Sequence, residues 1–315
     1  MNELMIETLD VGKTYGTVRA LDGVNLTVPR GTVLGLLGHN GAGKTTLVNI
    51  LATLQPPSTG TARVAGFDVV GAPVEVRRRI GLTGQYASVD EQMTGLDNLV
   101  LIARLLGAHP RAARTRAGEL LERFELTAAA KRPVRGYSGG MRRRLDLAAS
   151  VVNSPAVLFL DEPTTGLDPG SRITLWNIVG EMVAQGSTVV LTTQYLDEAD
   201  RMADAITVLS EGAVVASGTP AELKDRVGRR AVTVTLASPE DLPRAARALE
   251  AAGLRPSYDE TRGKLTTPVD SSRQVADVVR ALDAVHVEAA ELAMTEPTLD
   301  DVYLTLARKA PALAG

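Results

Sequence analysis

The stretch Gly38-His39-Asn40-Gly41-Ala42-Gly43-Lys44-Thr45 constrains this chain more than any other, because it dictates what must lie on either side of it. It fits G-x-x-x-x-G-K-[ST] without a mismatch, a pattern that works between a buried strand and a helix. Glycines let the backbone fold so that successive N–H groups point inward at phosphate oxygens. The helix that follows adds the positive end of its dipole. Both flanks are present: "TVLGLLG" is nearly all apolar, as a strand buried on both faces must be, and "KTTLVNILATL" reads as helix. Lys44 is placed to reach the β- and γ-phosphates and Thr45 to put its hydroxyl on Mg²⁺. Gly38, Asn40, Gly41, Gly43 and Thr46 complete the nucleotide contacts, and His39 reads as a spacer.

Two more buried-strand candidates, "AVLFLDE" and "STVVLTT", are separated from the first and from each other by helical sequence, which predicts a parallel α/β core. "AVLFLDEP" ends in Asp161-Glu162, two carboxylates delivered to the edge of the sheet where nucleotide sits in such folds. Asp161 suits Mg²⁺ and Glu162 suits a base that takes a proton from attacking water. Together with the phosphate loop they define a P-loop NTPase.

The first thirty residues alternate in strand fashion, predicting an antiparallel β subdomain. Residues 93–152 switch to a 3.6-residue period, a helical insert between sheet strands. The first domain is expected over residues 1–226. Residues 230–315 change grammar: strand 231–237, helix 240–252, short strands near 254–258 and 264–267, helix 271–284, strand 285–292 and helix 298–309. That β-α-β-β-α-β order predicts a small ferredoxin-like α+β unit for packing or dimerisation.

Composition closes off other classes. No window approaches about 18 uninterrupted apolar residues, so nothing is expected to cross a membrane. "MNELMIETLD" lacks the basic start and apolar run of a secretion signal. Zero cysteines exclude disulfides and thiolate metal sites, and His39, His109 and His286 have no metal-ligand spacing. A net charge of −3 and 3% aromatic residues argue against nucleic-acid binding. The basic triplets Arg77-Arg78-Arg79 and Arg142-Arg143-Arg144 therefore read as solvated helix faces or structural pairs.

"GYSGGMRRRLDLAASVV" decides the branch of NTPase. Ser138-Gly139-Gly140 resembles the signature of ATP-binding-cassette (ABC) ATPases, in which a helix N-terminus completes the ATP site of the opposing subunit. A hydroxyl and glycine N–H groups at a dipole's positive end suit a γ-phosphate. The resemblance, over residues 3–224, implies that Tyr15 stacks on adenine and that Gln85 touches Mg²⁺ and the attacking water. It implies that Asp168 contacts the partner subunit. Tyr137 and Met141 depart from the usual leucine and glutamine, and Gln194 stands where the family has a histidine. "YSGGMRRRLD", "TTQYLDEAD" and "EPTLDDVYLTL" resemble more closely the ATPase subunits of daunorubicin/doxorubicin-type resistance exporters. The implied function is ATP hydrolysis powering efflux of a hydrophobic drug or natural product. Two copies would sandwich ATP head-to-tail, bound peripherally to a separate polytopic permease at the cytoplasmic face of a bacterial membrane.

A glutamine amide donates and accepts hydrogen bonds but takes no proton near neutral pH. With Glu162 as base, positioning is what remains for residue 194, and an amide can supply it. The expectation is a working ATPase. Two alternatives stay open: a soluble ABC ATPase acting on ribosomes or DNA, and an ATP-gated interaction module with little turnover. The single phosphate loop and the absence of a sustained heptad run weigh against the first.

Overall fold

The computed structural model describes residues 3–84, 89–193, 195–227, 230–259, 263–295, 298–299 and 301–302. The chain divides into two compact units, one running to Pro220 and the other beginning at Ala221.

The first unit centres on a six-stranded sheet in the order Ala213–Gly218, Ala205–Ser210, Val33–Leu37, Thr188–Thr192, Val157–Asp161, Ile80–Thr83. Five of these strands are parallel, and Ala213–Gly218 closes one edge antiparallel. Val33–Leu37, Val157–Asp161 and Thr188–Thr192 are buried at every position, which is why they read as mostly apolar runs, with Asp161, Thr188 and Thr192 at their ends. Because they are parallel neighbours, their C-terminal ends meet at one edge: Leu36 pairs with Thr192, and Thr192 with Asp161. The phosphate loop and the two carboxylates thus converge, as open α/β sheets arrange their sites.

A separate antiparallel sheet, in the order Val18–Pro29, Leu4–Tyr15, Thr59–Val64, Phe67–Asp68, shares a core with the helix Lys44–Leu51. The predicted insert consists of the helices Gly95–Leu105, Pro110–Arg123 and Gly139–Ser150. Thr94 caps the first by accepting from the Asp97 N–H, and Pro110 starts the second, where its missing N–H costs nothing. Their apolar faces join Leu99, Leu120, Phe124 and Leu145 to Trp176 and Leu191. Among the described residues no helix is long and apolar enough to cross a membrane.

The second unit is an antiparallel sheet in the order Ser257–Asp259, Lys264–Pro268, Ala231–Leu236, Ala289–Thr295, with the helices Leu242–Ala251 and Ser272–Ala284. Chain order and sheet order together are ferredoxin-like. Val232, Val234 and Leu236 alternate inward against Ala245, Leu249, Val278 and Leu282.

Two strands start later than the sequence suggests, for one reason. The Leu254 N–H closes on Leu249 O and the Val287 N–H on Leu282 O, with Gly253 and His286 left-handed at φ 80° and 51°. Leu254 and Val287 are apolar residues that seal helix C-termini; in sequence they pass for strand starts. Of the predicted helix 298–309, Leu299, Asp301 and Val302 are helical and residues 303–309 lie outside the described residues.

Candidate nucleotide-hydrolysis site

The phosphate loop leaves Val33–Leu37 and enters the helix Lys44–Leu51 through Gly43, at φ 103°. A Cβ on Gly43 would lie 2.7 Å from both Ala20 O and Leu21 Cδ2, so sterics and backbone both demand glycine there. Inside the loop the Lys44 ammonium donates to Gly38 O at 2.7 Å and to His39 O at 3.1 Å. Burial pulls the Lys44 pKa below the ordinary lysine value, and the negative charges of Glu162 and Asp161 oppose that shift. A cleft of about 260 Å³ is lined by Asn40, Gly41, Gly43, Lys44, Thr45, Thr46 and, from across the sheet edge, Glu162.

The two carboxylates are held by the neighbouring strand. Asp161 is buried and accepts a hydrogen bond from the Thr192 hydroxyl. Glu162 turns left-handed at φ 47°, and its N–H donates to Thr192 O at 3.0 Å and to Thr192 Oγ1 at 3.2 Å. One threonine therefore holds the Asp161 carboxylate and the Glu162 backbone, while the Glu162 carboxylate has Thr165 Oγ1 at 3.5 Å. Among the described residues no group of three or more His, Cys, Asp or Glu could hold a metal alone. Thr45 and Asp161 supply hard oxygens of the kind Mg²⁺ takes when nucleotide phosphates complete its shell.

The signature residues sit apart from this cleft. Ser138 caps the helix Gly139–Ser150 by accepting from the Met141 N–H at 3.2 Å. Asp168 caps Pro169–Ala184, accepting from Ser171 N at 3.0 Å and Ser171 Oγ at 2.6 Å; these bonds hold its carboxyl below the usual carboxylate range. The two turns adjoin, since a Cβ on Gly140 would meet Ser171 Oγ at 3.1 Å. Ser138, Gly139, Gly140 and Asp168 do not line the phosphate cleft of their own chain, but Gly139 shares an adjoining cleft of about 570 Å³ with Asp161 and Glu162. Tyr15 ends its strand exposed, with its hydroxyl on Gln55 and the Lys13 ammonium 5.2 Å from its ring centroid. Gln85 and Gln194 lie outside the described residues. Around position 194, Thr193 Oγ1 accepts from the Tyr195 N–H at 2.9 Å and donates to Glu198 at 3.2 Å.

The departures in the signature have local causes. Tyr137 is buried, its hydroxyl donating to Ala129 O at 2.8 Å, and desolvation raises its pKa. Met141 is partly buried against the core of the helical insert. The basic triplets are tied into the chain. Arg78 and Arg79 pair with Glu75, Arg77 donates to Thr53, Arg142 pairs with Glu91, and Arg144 pairs with Glu125. Arg143 reaches four backbone carbonyls, three of them at residues 161–163.

Sequence reasoning missed Thr192, Arg143 and Glu198. The Glu198 carboxylate accepts from Thr164 Oγ1 at 2.7 Å and Thr193 Oγ1 at 3.2 Å, joining the segment after Glu162 to the one around position 194. Burial raises its pKa, and among the described residues its second oxygen has no hydrogen-bond partner, with Arg172 at 4.0 Å. In sequence it was one more acid in "YLDEAD".

Residues 21–165 match the ABC transporter family. The chain is 52% identical over 296 residues to the daunorubicin resistance ATP-binding protein DrrA2 of Streptomyces coeruleorubidus, covering 93% of this chain and 92% of that protein. It is 49% identical over 302 residues to the daunorubicin/doxorubicin resistance ATP-binding protein DrrA of Streptomyces peucetius, covering 96% and 92%. Among solved structures, a dimeric ATP-binding cassette in a post-hydrolysis state, bound to ADP and Pi, superposes with a TM-score of 0.64 at 26% identity, covering 68% of this chain and 98% of that one.

Proposed function

The chain belongs to the ABC transporter family as an ATP-hydrolysing, ATP-binding subunit, and we propose that it drives efflux of a hydrophobic, daunorubicin-like compound through a separate membrane permease. The observation that carries the assignment is similarity to drug-resistance ATP-binding proteins over nearly the whole chain, second unit included. It acts at the cytoplasmic face of the membrane, held there by the permease.

Catalysis follows from the groups at the sheet edge. Lys44 and the loop N–H groups bind the phosphates, and Tyr15, exposed at its strand end, stacks on the base. Mg²⁺, held by Thr45, Asp161 and Gln85, would neutralise charge on the β- and γ-phosphates. Glu162 lines the phosphate cleft and takes the proton of the attacking water, which Gln194 orients. Ser138, Gly140 and Asp168 lie outside the lining of their own chain's phosphate cleft, and similarity to a dimeric cassette supports a composite site in which the signature serves the second copy.

The test is ATP turnover of the purified chain across a range of protein concentrations. Specific activity should rise with concentration and vanish in Lys44→Ala; turnover independent of concentration would refute the composite site. For cargo, cells expressing the chain with its membrane permease should accumulate less fluorescent anthracycline than cells carrying Lys44→Ala. Equal accumulation would remove the drug assignment and leave the ATPase intact.

A further inference from the structure

We propose that Arg143 is a positioning residue for hydrolysis, a guanidinium clamp that fixes the backbone at Glu162 and ties it to the helix beginning at Ser138. Its Nε donates to Pro163 O at 2.9 Å, Nη1 to Gly84 O at 3.0 Å, and Nη2 to both Asp161 O and Glu162 O at 3.0 Å. Four of the five N–H groups of a rigid planar fork are thereby engaged on carbonyls from two separate segments.

Three successive carbonyls do not ordinarily face one point, because along a strand the carbonyls alternate in direction. They converge here because Glu162 is left-handed at φ 47°, a conformation that disfavours any residue with a Cβ. Arg143 offsets that cost by taking the dipoles the turn leaves aimed together. Burial lowers the guanidinium pKa from the ordinary arginine value, and the charges of Asp146, Asp161 and Glu162 oppose that shift.

The placement has a consequence for coupling. Arg143 lies on the helix Gly139–Ser150, whose N-terminus carries Ser138-Gly139-Gly140. Gly84 O, the fourth acceptor, immediately precedes the segment containing Gln85. One side chain thus joins the signature helix, the backbone of the base and the strand end that leads to Gln85. Lysine cannot reproduce this: its ammonium is a point charge with three donors on a flexible stem. None of the four contacts reaches the phosphate loop, so the effect on nucleotide affinity is expected to be small beside the effect on turnover. The role presupposes Glu162 as the base.

The experiment compares Arg143→Met and Arg143→Lys in the full chain, each also in a Glu162→Gln background, by steady-state turnover and by binding of a fluorescent ATP analogue. Arg143→Met should lower kcat by roughly 10- to 100-fold, the scale of a catalytic group displaced by about an ångström, with KM and analogue affinity changed less than about two-fold. Arg143→Lys should recover part of the loss. In the Glu162→Gln background Arg143→Met should remove little further activity, because it acts through the group already disabled. An equal fold-loss in both backgrounds, or a loss in affinity matching the loss in rate, would overturn the clamp. If Arg143→Met does not fold, Arg143→Lys carries the same kcat-against-KM comparison. Full turnover in Glu162→Gln alone would instead sink the base assignment, a separate result.

Discussion

Replacing Gly95 by alanine should destabilise the first unit by about 2–3 kcal/mol, although alanine is the better helix former. Gly95 is the first residue of the helix Gly95–Leu105 and takes no left-handed conformation, so its backbone accepts any residue. What excludes a side chain is Tyr137: a Cβ on Gly95 would lie 2.3 Å from the phenolic oxygen and 3.3 Å from Cζ. The ring is buried and cannot swing into solvent without losing its bond to Ala129 O. Losing that bond costs about 1 kcal/mol net, although Ala129 O keeps the Arg132 N–H at 2.9 Å, and forcing the ring aside in a packed core costs about 1–3 kcal/mol. With Tyr137→Leu, the residue commonest at that position in the family, the obstruction disappears and Gly95→Ala should be neutral or stabilising by up to about 1 kcal/mol. The coupling between the two sites is then roughly 3 kcal/mol, at the upper end for residues in contact. Urea denaturation of the four proteins of the cycle, followed by fluorescence, would measure it. Trp176 is the only tryptophan and lies in the same core as Tyr137, so the signal reports the first unit. The same cost for Gly95→Ala in both backgrounds would refute the steric account.

At the site, Glu162→Gln should lower turnover by about 10²–10⁴-fold, the usual contribution of a general base, and Gln194→Ala by about ten-fold or less; the reverse order would make residue 194 the more important group. Gln194→His should add a titrating limb between about pH 6 and 8, and an unchanged profile would show that charge at this position is irrelevant. Glu198→Gln should become progressively more stable relative to wild type as pH rises from about 4 to 7. The folded carboxyl binds its proton more tightly than the unfolded one, so wild type loses stability as pH rises from the unfolded pKa through the raised folded one, and glutamine does not. Melting temperatures across that range give the sign, and a growing advantage for wild type would refute it.

What sequence revealed and what it hid follow from how far apart the interacting groups are. The phosphate loop is legible because its function is carried by contiguous backbone: N–H groups aimed by Gly41 and Gly43 need neighbours in sequence. The central strands are legible because burial on both faces leaves only apolar residues at Val33–Leu37 and at 157–160. Thr192 is not, because a threonine in a strand is ordinary and its bond to Asp161 crosses 31 positions. Arg143 is hidden twice over. It sits within a basic triplet whose other members make ordinary ion pairs, and its partners are carbonyls, which carry no side-chain signature.

The same distinction explains why the altered signature need not mean an altered site. The groups a helix start offers to phosphate are the Ser138 hydroxyl and backbone N–H groups, and their directions are set by the turn that Ser138 caps through Met141 N. The side chain of residue 141 has no share in that bond and is spent on the core. Tyr137, on the other flank, anchors the turn to Ala129 O, an anchor a leucine cannot provide. Its cost is borne at Gly95, on a helix more than forty residues earlier, where only a missing Cβ makes room. In this chain the ends of the motif are therefore supported by the fold around them. The chemistry at Ser138, Gly139 and Gly140 depends on the backbone of that helical start, which the Ser138 cap holds whatever the side chain at 141.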